Sequence, residues 1–160
     1  KRLGKDNIIN RGISGDVAMG IYDRLHQILP GKPKQIFLLI GVNDISHDLS
    51  TDSIVNMIEK NVTRIQRESP ETKLYLQSLL PIDESFNRYK KLTNKTYQIP
   101  EINDRLKALA KEKKIDFIDL YPLFTEKGTN VLRKELTYDG LHLKEEGYKI
   151  WVDAIKKKMK

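Results

Sequence analysis

Cysteine is absent from this chain. Its absence excludes disulfides, thiolate catalysis and cysteine-ligated metals, and it fits either redox compartment, so localisation stays open, an extracytoplasmic site included. Long apolar runs are missing as well: nothing approaches the roughly 20 residues of a membrane-spanning helix, and Lys1 to Asn7 lack the character of a signal peptide. An initiator Met is missing too. The chain opens on Lys1-Arg2-Leu3-Gly4, and the expectation is a polypeptide that continues upstream. Histidine is scarce, with His26, His47 and His142 far apart and no pair at helical i, i+4 spacing, so no metal-site pattern is present. No glycine-rich phosphate loop appears, which argues against a nucleotide binder. Internal repeats and low-complexity segments are also lacking.

What is present begins with size. The 160 residues suit one domain, residues 1–160, able to bury about two-thirds of the surface its unfolded chain exposes. Net charge is +7, from 29 Lys and Arg against 22 Asp and Glu. A positive balance can signal phosphate or anionic-surface binding. Here the cations are scattered or end helices, as Lys156, Lys157, Lys158 and Lys160 do, and no stacking aromatics accompany them. They read as solvated surface, with no nucleic-acid partner expected.

Strand-like and helix-like periods then alternate, the pattern of a parallel sheet covered by helices on both faces. Asn7 to Ile13 reads as a short strand. From Asp16, residues Ala18, Ile21, Leu25, Ile28 and Leu29 recur at helical spacing until Pro30-Gly31. Gln35 to Ile40 is a near-continuous apolar strand, buried on both faces. Ser50 or Thr51 can cap a helix whose Ile54, Ile58 and Ile65, with Val55 and Val62, form one stripe before Glu68-Ser69-Pro70. Lys73 to Leu79 and Ile115 to Leu120 are further strands, and helices follow Pro100 and Lys144. Leu80 to Thr96 reads as a long, partly helical loop over the strand ends and Tyr121 to Leu136 as a second loop, and long loops in compact domains are often functional. The expectation is about four strands and four helices.

Three polar clusters fall where strands run out, the place where parallel sheets bind ligands. They are Gly12-Ile13-Ser14-Gly15-Asp16, Gly41-Val42-Asn43-Asp44 and Asp139-Gly140-Leu141-His142. In the last, an Asp three residues ahead of a His can hold and polarise one imidazole, which makes a general base. Each cluster has a plainer reading: Asp139-Gly140 as a turn or cap, Asn43-Asp44 as a turn after a buried strand, and Gly15 as a residue that supplies a positive φ.

In order and separation the three clusters resemble sequence blocks of the SGNH hydrolases, the GDSL esterase and lipase family. That resemblance implies a flavodoxin-like three-layer α/β/α fold with a parallel sheet, and acyl transfer by Ser, His and Asp. It implies His142 as general base and then acid, Asp139 as the group that fixes its tautomer, and the Asn43 amide and Gly15 backbone N–H as oxyanion donors. Such chemistry needs no cofactor or metal.

One block of the family's pattern is missing. The family's nucleophile sits in a glycine-aspartate-serine block after the first strand, and none of Ser14, Ser46, Ser50, Ser53, Ser69, Ser78 and Ser85 follows Gly-Asp. Ser14 begins like a nucleophile elbow, yet Asp16 stands where the second glycine is required. The expectation is therefore that the first strand and its nucleophilic serine lie upstream of Lys1. The expected substrate is a small polar ester, an acetylated carbohydrate first, with other short-chain esters or a lysophospholipid next. The competing class is a non-catalytic carbohydrate-binding or interaction protein on the same fold. His47 reads as a surface loop residue and His26 as an exposed helical one.

Overall fold

The structure is a computed structural model that describes residues 8–159. Three short strands, β1 (Gln35–Leu38), β2 (Lys73–Gln77) and β3 (Asp116–Ile118), form a parallel sheet in the order β1-β2-β3. Gln35 lies opposite Lys73 and Leu38 opposite Leu76, and β2 meets β3 with Tyr75 opposite Asp116. Around the sheet, among the described residues, run six α-helices: α1 (Ala18–Arg24), α2 (Val42–Ser46), α3 (Thr51–Glu68), α4 (Gln98–Glu112), α5 (Tyr121–Phe124) and α6 (Glu145–Lys156).

Residue alternation along β2 sorts the core into two layers. Leu74 and Leu76 join a cluster with Ile54, Ile58 and Ile65 of α3 and Ile102 and Leu106 of α4. Tyr75 points the other way, into a cluster with Ile118, Phe124 and Leu136 that Trp151 and Ala154 of α6 help to cover. Tyr75 stacks flat on Phe37 with ring centroids 4.6 Å apart. Its hydroxyl donates to the Lys158 carbonyl at 3.0 Å, and the Trp151 indole donates to Gln77 Oε1 at 2.7 Å. Helices therefore lie on both faces, as the sequence pattern predicts.

The long helix α3 follows its stripe closely, and of the two candidate caps it uses Ser50, whose hydroxyl accepts from the Ser53 N–H at 3.2 Å. Three expectations need correction. The helix read from Asp16 to Leu29 is regular only over Ala18–Arg24 and continues as tighter single turns over Leu25–Gln27 and Leu29–Gly31. The strand read over Asn7 to Ile13 is not formed by Ile8 to Ile13, where Ile9 and Ile13 are exposed; Asn7 itself is outside the described residues. A strand needs a ladder partner and cover, and this segment has neither, so the sheet has three strands among the described residues and β1 is an edge strand. Thirdly, the segment Tyr121 to Leu136, read as a loop, opens with α5, whereas Leu80 to Thr96 is the partly helical loop expected, with tight turns at Glu84–Phe86 and Lys90–Leu92.

Past the carboxyl end of β2 the chain leaves the ladder, and side chains satisfy its backbone. Asn103 of α4 exchanges two hydrogen bonds with Leu79, accepting from its N–H at 2.7 Å and donating to its carbonyl at 3.0 Å. The buried Ser78 hydroxyl accepts from the N–H groups of Leu120 and Tyr121 at 2.8 and 2.9 Å. These bonds fix the platform on which the polar clusters stand.

Candidate active site

The first two clusters are bonded to each other. The Asn43 side chain, at the start of α2, donates one amide hydrogen to the Asp16 carbonyl at 2.8 Å. Both oxygens of the buried Asp44 carboxylate accept from the Ala18 N–H at 3.2 Å, and burial pushes the Asp44 pKa up. Asp16 in turn accepts from Arg24 Nε at 3.0 Å. Gly15 is exposed, has a φ of +78°, and its N–H has no hydrogen-bond partner among the described residues. Asn43 Nδ2 keeps a second amide hydrogen beyond the one spent on the Asp16 carbonyl, so this N–H and that hydrogen are both unspent donors among the described residues.

The third cluster is a self-contained turn. Asp139 Oδ1 accepts from the backbone N–H groups of Leu141 and His142 at 3.0 and 2.8 Å, and Oδ2 lies 2.9 Å from His142 Nδ1. Thr137, itself buried, closes the turn: its hydroxyl donates to the His142 carbonyl at 2.8 Å and accepts from the Gly140 N–H at 2.9 Å. Gly140 has a φ of +86°, and a Cβ there would sit 2.2 Å from the Asp83 carbonyl oxygen. That close approach lets the Asp83 N–H donate to the Gly140 carbonyl at 2.9 Å. The turn is thereby pinned to the segment that follows β2.

Burial works to raise the Asp139 pKa, but hydrogen bonds from the Tyr89 hydroxyl, the His142 backbone and ring, and the Leu141 N–H outweigh it and hold the carboxyl well below the usual carboxylate range. It is an anion at any working pH. The His142 side chain is 63% exposed, so with Nδ1 held by Asp139 its other nitrogen, Nε2, is open to solvent. An imidazole held in this way can take a proton at Nε2 and return it.

The loop after β2 links the clusters. α2 packs against the turn Lys90–Leu92, and Tyr89, just before that turn, sends its hydroxyl to Asp139 Oδ2 at 2.6 Å and lies 2.9 Å from His142 Nδ1. Sequence reasoning missed both Tyr89 and Thr137. An aromatic residue inside an otherwise polar loop was the available signal for Tyr89; nothing local marks Thr137.

Ser14 is exposed, Ser78 is buried and spent on backbone, and no serine hydroxyl among the described residues is hydrogen-bonded to His142. His26 and His47 are exposed, His26 with its Nδ1 on the Asp23 carbonyl. No cluster of side chains suited to a metal occurs among the described residues, and no helix of the described residues is long and apolar enough to cross a membrane.

Fold and site together define an α/β protein of the three-layer, parallel-sheet class with its polar groups at the carboxyl ends of the strands. The family model for GDSL-like lipases and acylhydrolases matches residues 1–150, and the chain belongs to that family. Solved structures agree. A GDSL-like lipase from Bacteroides thetaiotaomicron superposes with a TM-score of 0.85 at 26% identity, over 94% of this chain and 74% of its own. A platelet activating factor protein from Streptococcus pneumonia gives 0.86 at 30% identity, over 96% of this chain and 72% of its own. An acetyl xylan esterase shares the fold with a TM-score of 0.77 at 22% identity, over 93% of this chain and 79% of its own. Among curated proteins, the N-acylneuraminate cytidylyltransferase of Escherichia coli O18:K1:H7 is 25% identical over 158 residues, which is 97% of this chain and 36% of that protein. The chain thus spans about a third of the length of that curated relative.

Proposed function

We propose that this chain is the base-bearing part of a serine acylhydrolase that removes short acyl groups, acetyl first, from carbohydrates or other small polar alcohols. The observation that carries this reading is His142, with Nδ1 held 2.9 Å from an anionic Asp139 and its side chain 63% exposed. Family membership and the likeness in fold to an acetyl xylan esterase support it.

In this reading a serine hydroxyl attacks the ester carbonyl while Nε2 of His142 takes its proton. Asp139 keeps the proton on Nδ1 and stabilises the imidazolium that results. The negative oxygen of the tetrahedral intermediate receives hydrogen bonds from the second Asn43 amide hydrogen and the Gly15 N–H. Collapse breaks the ester C–O bond, His142 passes its proton to the leaving alcohol, and water then releases the acyl group by the same steps in reverse. The nucleophile is a serine outside residues 1–160, since none within them reaches His142; the free edge of β1 is the place for the strand that would deliver it. The Leu80 to Thr96 loop favours a small acyl group, because its exposed tip offers Phe86 as the large apolar side chain and is otherwise polar.

Labelling of the purified full-length polypeptide with a fluorophosphonate, followed by peptide mapping, tests the reading. An adduct on a serine upstream of Lys1, lost in His142→Ala, is the expected result. An adduct on Ser14 would overturn the assignment of the nucleophile. No adduct on folded protein would favour the binding-protein alternative.

A further inference from the structure

Tyr89 Oη, Asp139 Oδ2 and His142 Nδ1 form a triangle with edges of 2.6, 2.9 and 2.9 Å. Three polar atoms this close must divide their protons in a definite way. The 2.6 Å edge is the length of a hydroxyl donating to a carboxylate, and the phenol keeps its proton: its own burial, and then the neighbouring Asp139 charge, push its pKa up. With the O–H directed at Oδ2, the phenol presents only lone pairs to Nδ1. The imidazole nitrogen therefore faces two acceptors and no donor. A bare Nδ1 would meet lone pairs on both sides, so the proton is fixed on Nδ1 and Nε2 is left bare.

Asp139 offers the ring one oxygen, Oδ2. Its Oδ1 is occupied by two backbone N–H groups, and without Tyr89 a ring that is 63% exposed would be held by a single acceptor in competition with water. The Tyr89 ring meets the imidazole edge-on, with centroids 5.8 Å apart and planes at 62°. Tyr89 is itself held firmly: its carbonyl accepts from the Leu92 N–H at 2.9 Å, its ring packs on the core, and Glu84 ties the loop to the Asn94 N–H at 2.9 Å and to the Thr96 hydroxyl.

We propose that Tyr89 is a positioning residue for His142, its hydroxyl acting with Asp139 to lock the imidazole in the Nδ1–H tautomer and to aim Nε2 at the nucleophile. The aim at a nucleophile rests on the acylhydrolase reading; the tautomer lock does not. The test is nitrogen-15 NMR of the His142 ring in the full-length polypeptide, above the pH at which it becomes neutral, in the parent and in Tyr89→Phe. The parent is expected to show Nδ1 protonated and Nε2 bare. Tyr89→Phe, which keeps the packed ring, is expected to show a substantial Nε2–H population, a kcat lower by about tenfold for an acetyl ester and a KM within about twofold. An unchanged tautomer in Tyr89→Phe, or a mixed tautomer in the parent, would overturn the lock. Absence of esterase activity in every form, with the tautomer shift intact, would instead remove the acylhydrolase reading and leave the lock standing.

Discussion

At the scale of single residues, the site reduces to one ring and the groups that face it. His142→Ala should lower ester turnover on the order of 10⁴-fold, the loss seen when a member of such a triad fails; turnover within tenfold of the parent would remove His142 from the reaction. In the proposed reaction the Asn43 amide serves an oxygen that becomes charged only during the chemical step, so Asn43→Ala should cost about 3 kcal/mol of transition-state stabilisation and act on kcat more than on KM. Its other hydrogen bond, to the Asp16 carbonyl at 2.8 Å, makes a change in KM alone the sign that Asn43 positions this loop instead. Asp139 carries a pH signature. Its pKa in the folded protein lies below that of the unfolded chain, near 3.9, so the unfolded state binds the proton more readily. Stability from its carboxylate is complete above about pH 4 and is lost as pH falls towards the folded value. The gap in melting temperature between the parent and Asp139→Asn should therefore shrink as the pH falls below about 4; a gap that persisted unchanged in strong acid would mean that the carboxylate charge carries none of it.

At the scale of elements, the sequence announced those whose apolar pattern is long. The stripe Ile54, Ile58, Val62, Ile65 predicts α3, and the structure buries all four. The strands are legible in place but not in extent: Leu39 and Ile40 are as apolar as Ile36, yet β1 stops at Leu38 because the ladder to β2 ends there. Asp139 and His142 were legible because three residues separate them and the turn is local. Tyr89 was not, since its place beside Asp139, 50 positions away, depends on how the loop after β2 folds back. Gly140 belongs to the same hidden category: its need for glycine comes from Asp83, on another segment. Gly140→Ala should therefore cost about 1–3 kcal/mol in backbone strain alone and displace the turn that holds His142. Denaturant unfolding should show the loss; a variant as stable as the parent would mean that the Asp83 segment yields freely.

At the scale of the whole molecule, the two faces of the sheet are covered by different parts of the chain. α3 and α4, which cover one face, are the crossovers between successive strands, while α6 covers the other and follows all three. α6 is keyed to β2 by the bond from Trp151 to Gln77 at 2.7 Å. Trp151→Phe should leave the buried Gln77 oxygen without a donor, at a cost of about 1–3 kcal/mol, and lower the melting temperature while sparing the His142 turn. A neutral effect would mean that water replaces the indole N–H.

That order of coverage bears on how the protein is made. β2 and β3 each pair with a strand already synthesised, so the first layer can assemble as the chain leaves the ribosome. The second layer must wait: until α6 and the residues just after it emerge, the Tyr75 hydroxyl lacks its Lys158 acceptor, Gln77 lacks its Trp151 donor and the second face is only partly covered. Asp139 and His142 emerge just ahead of that helix, so the turn that holds the imidazole is made before the second layer is closed.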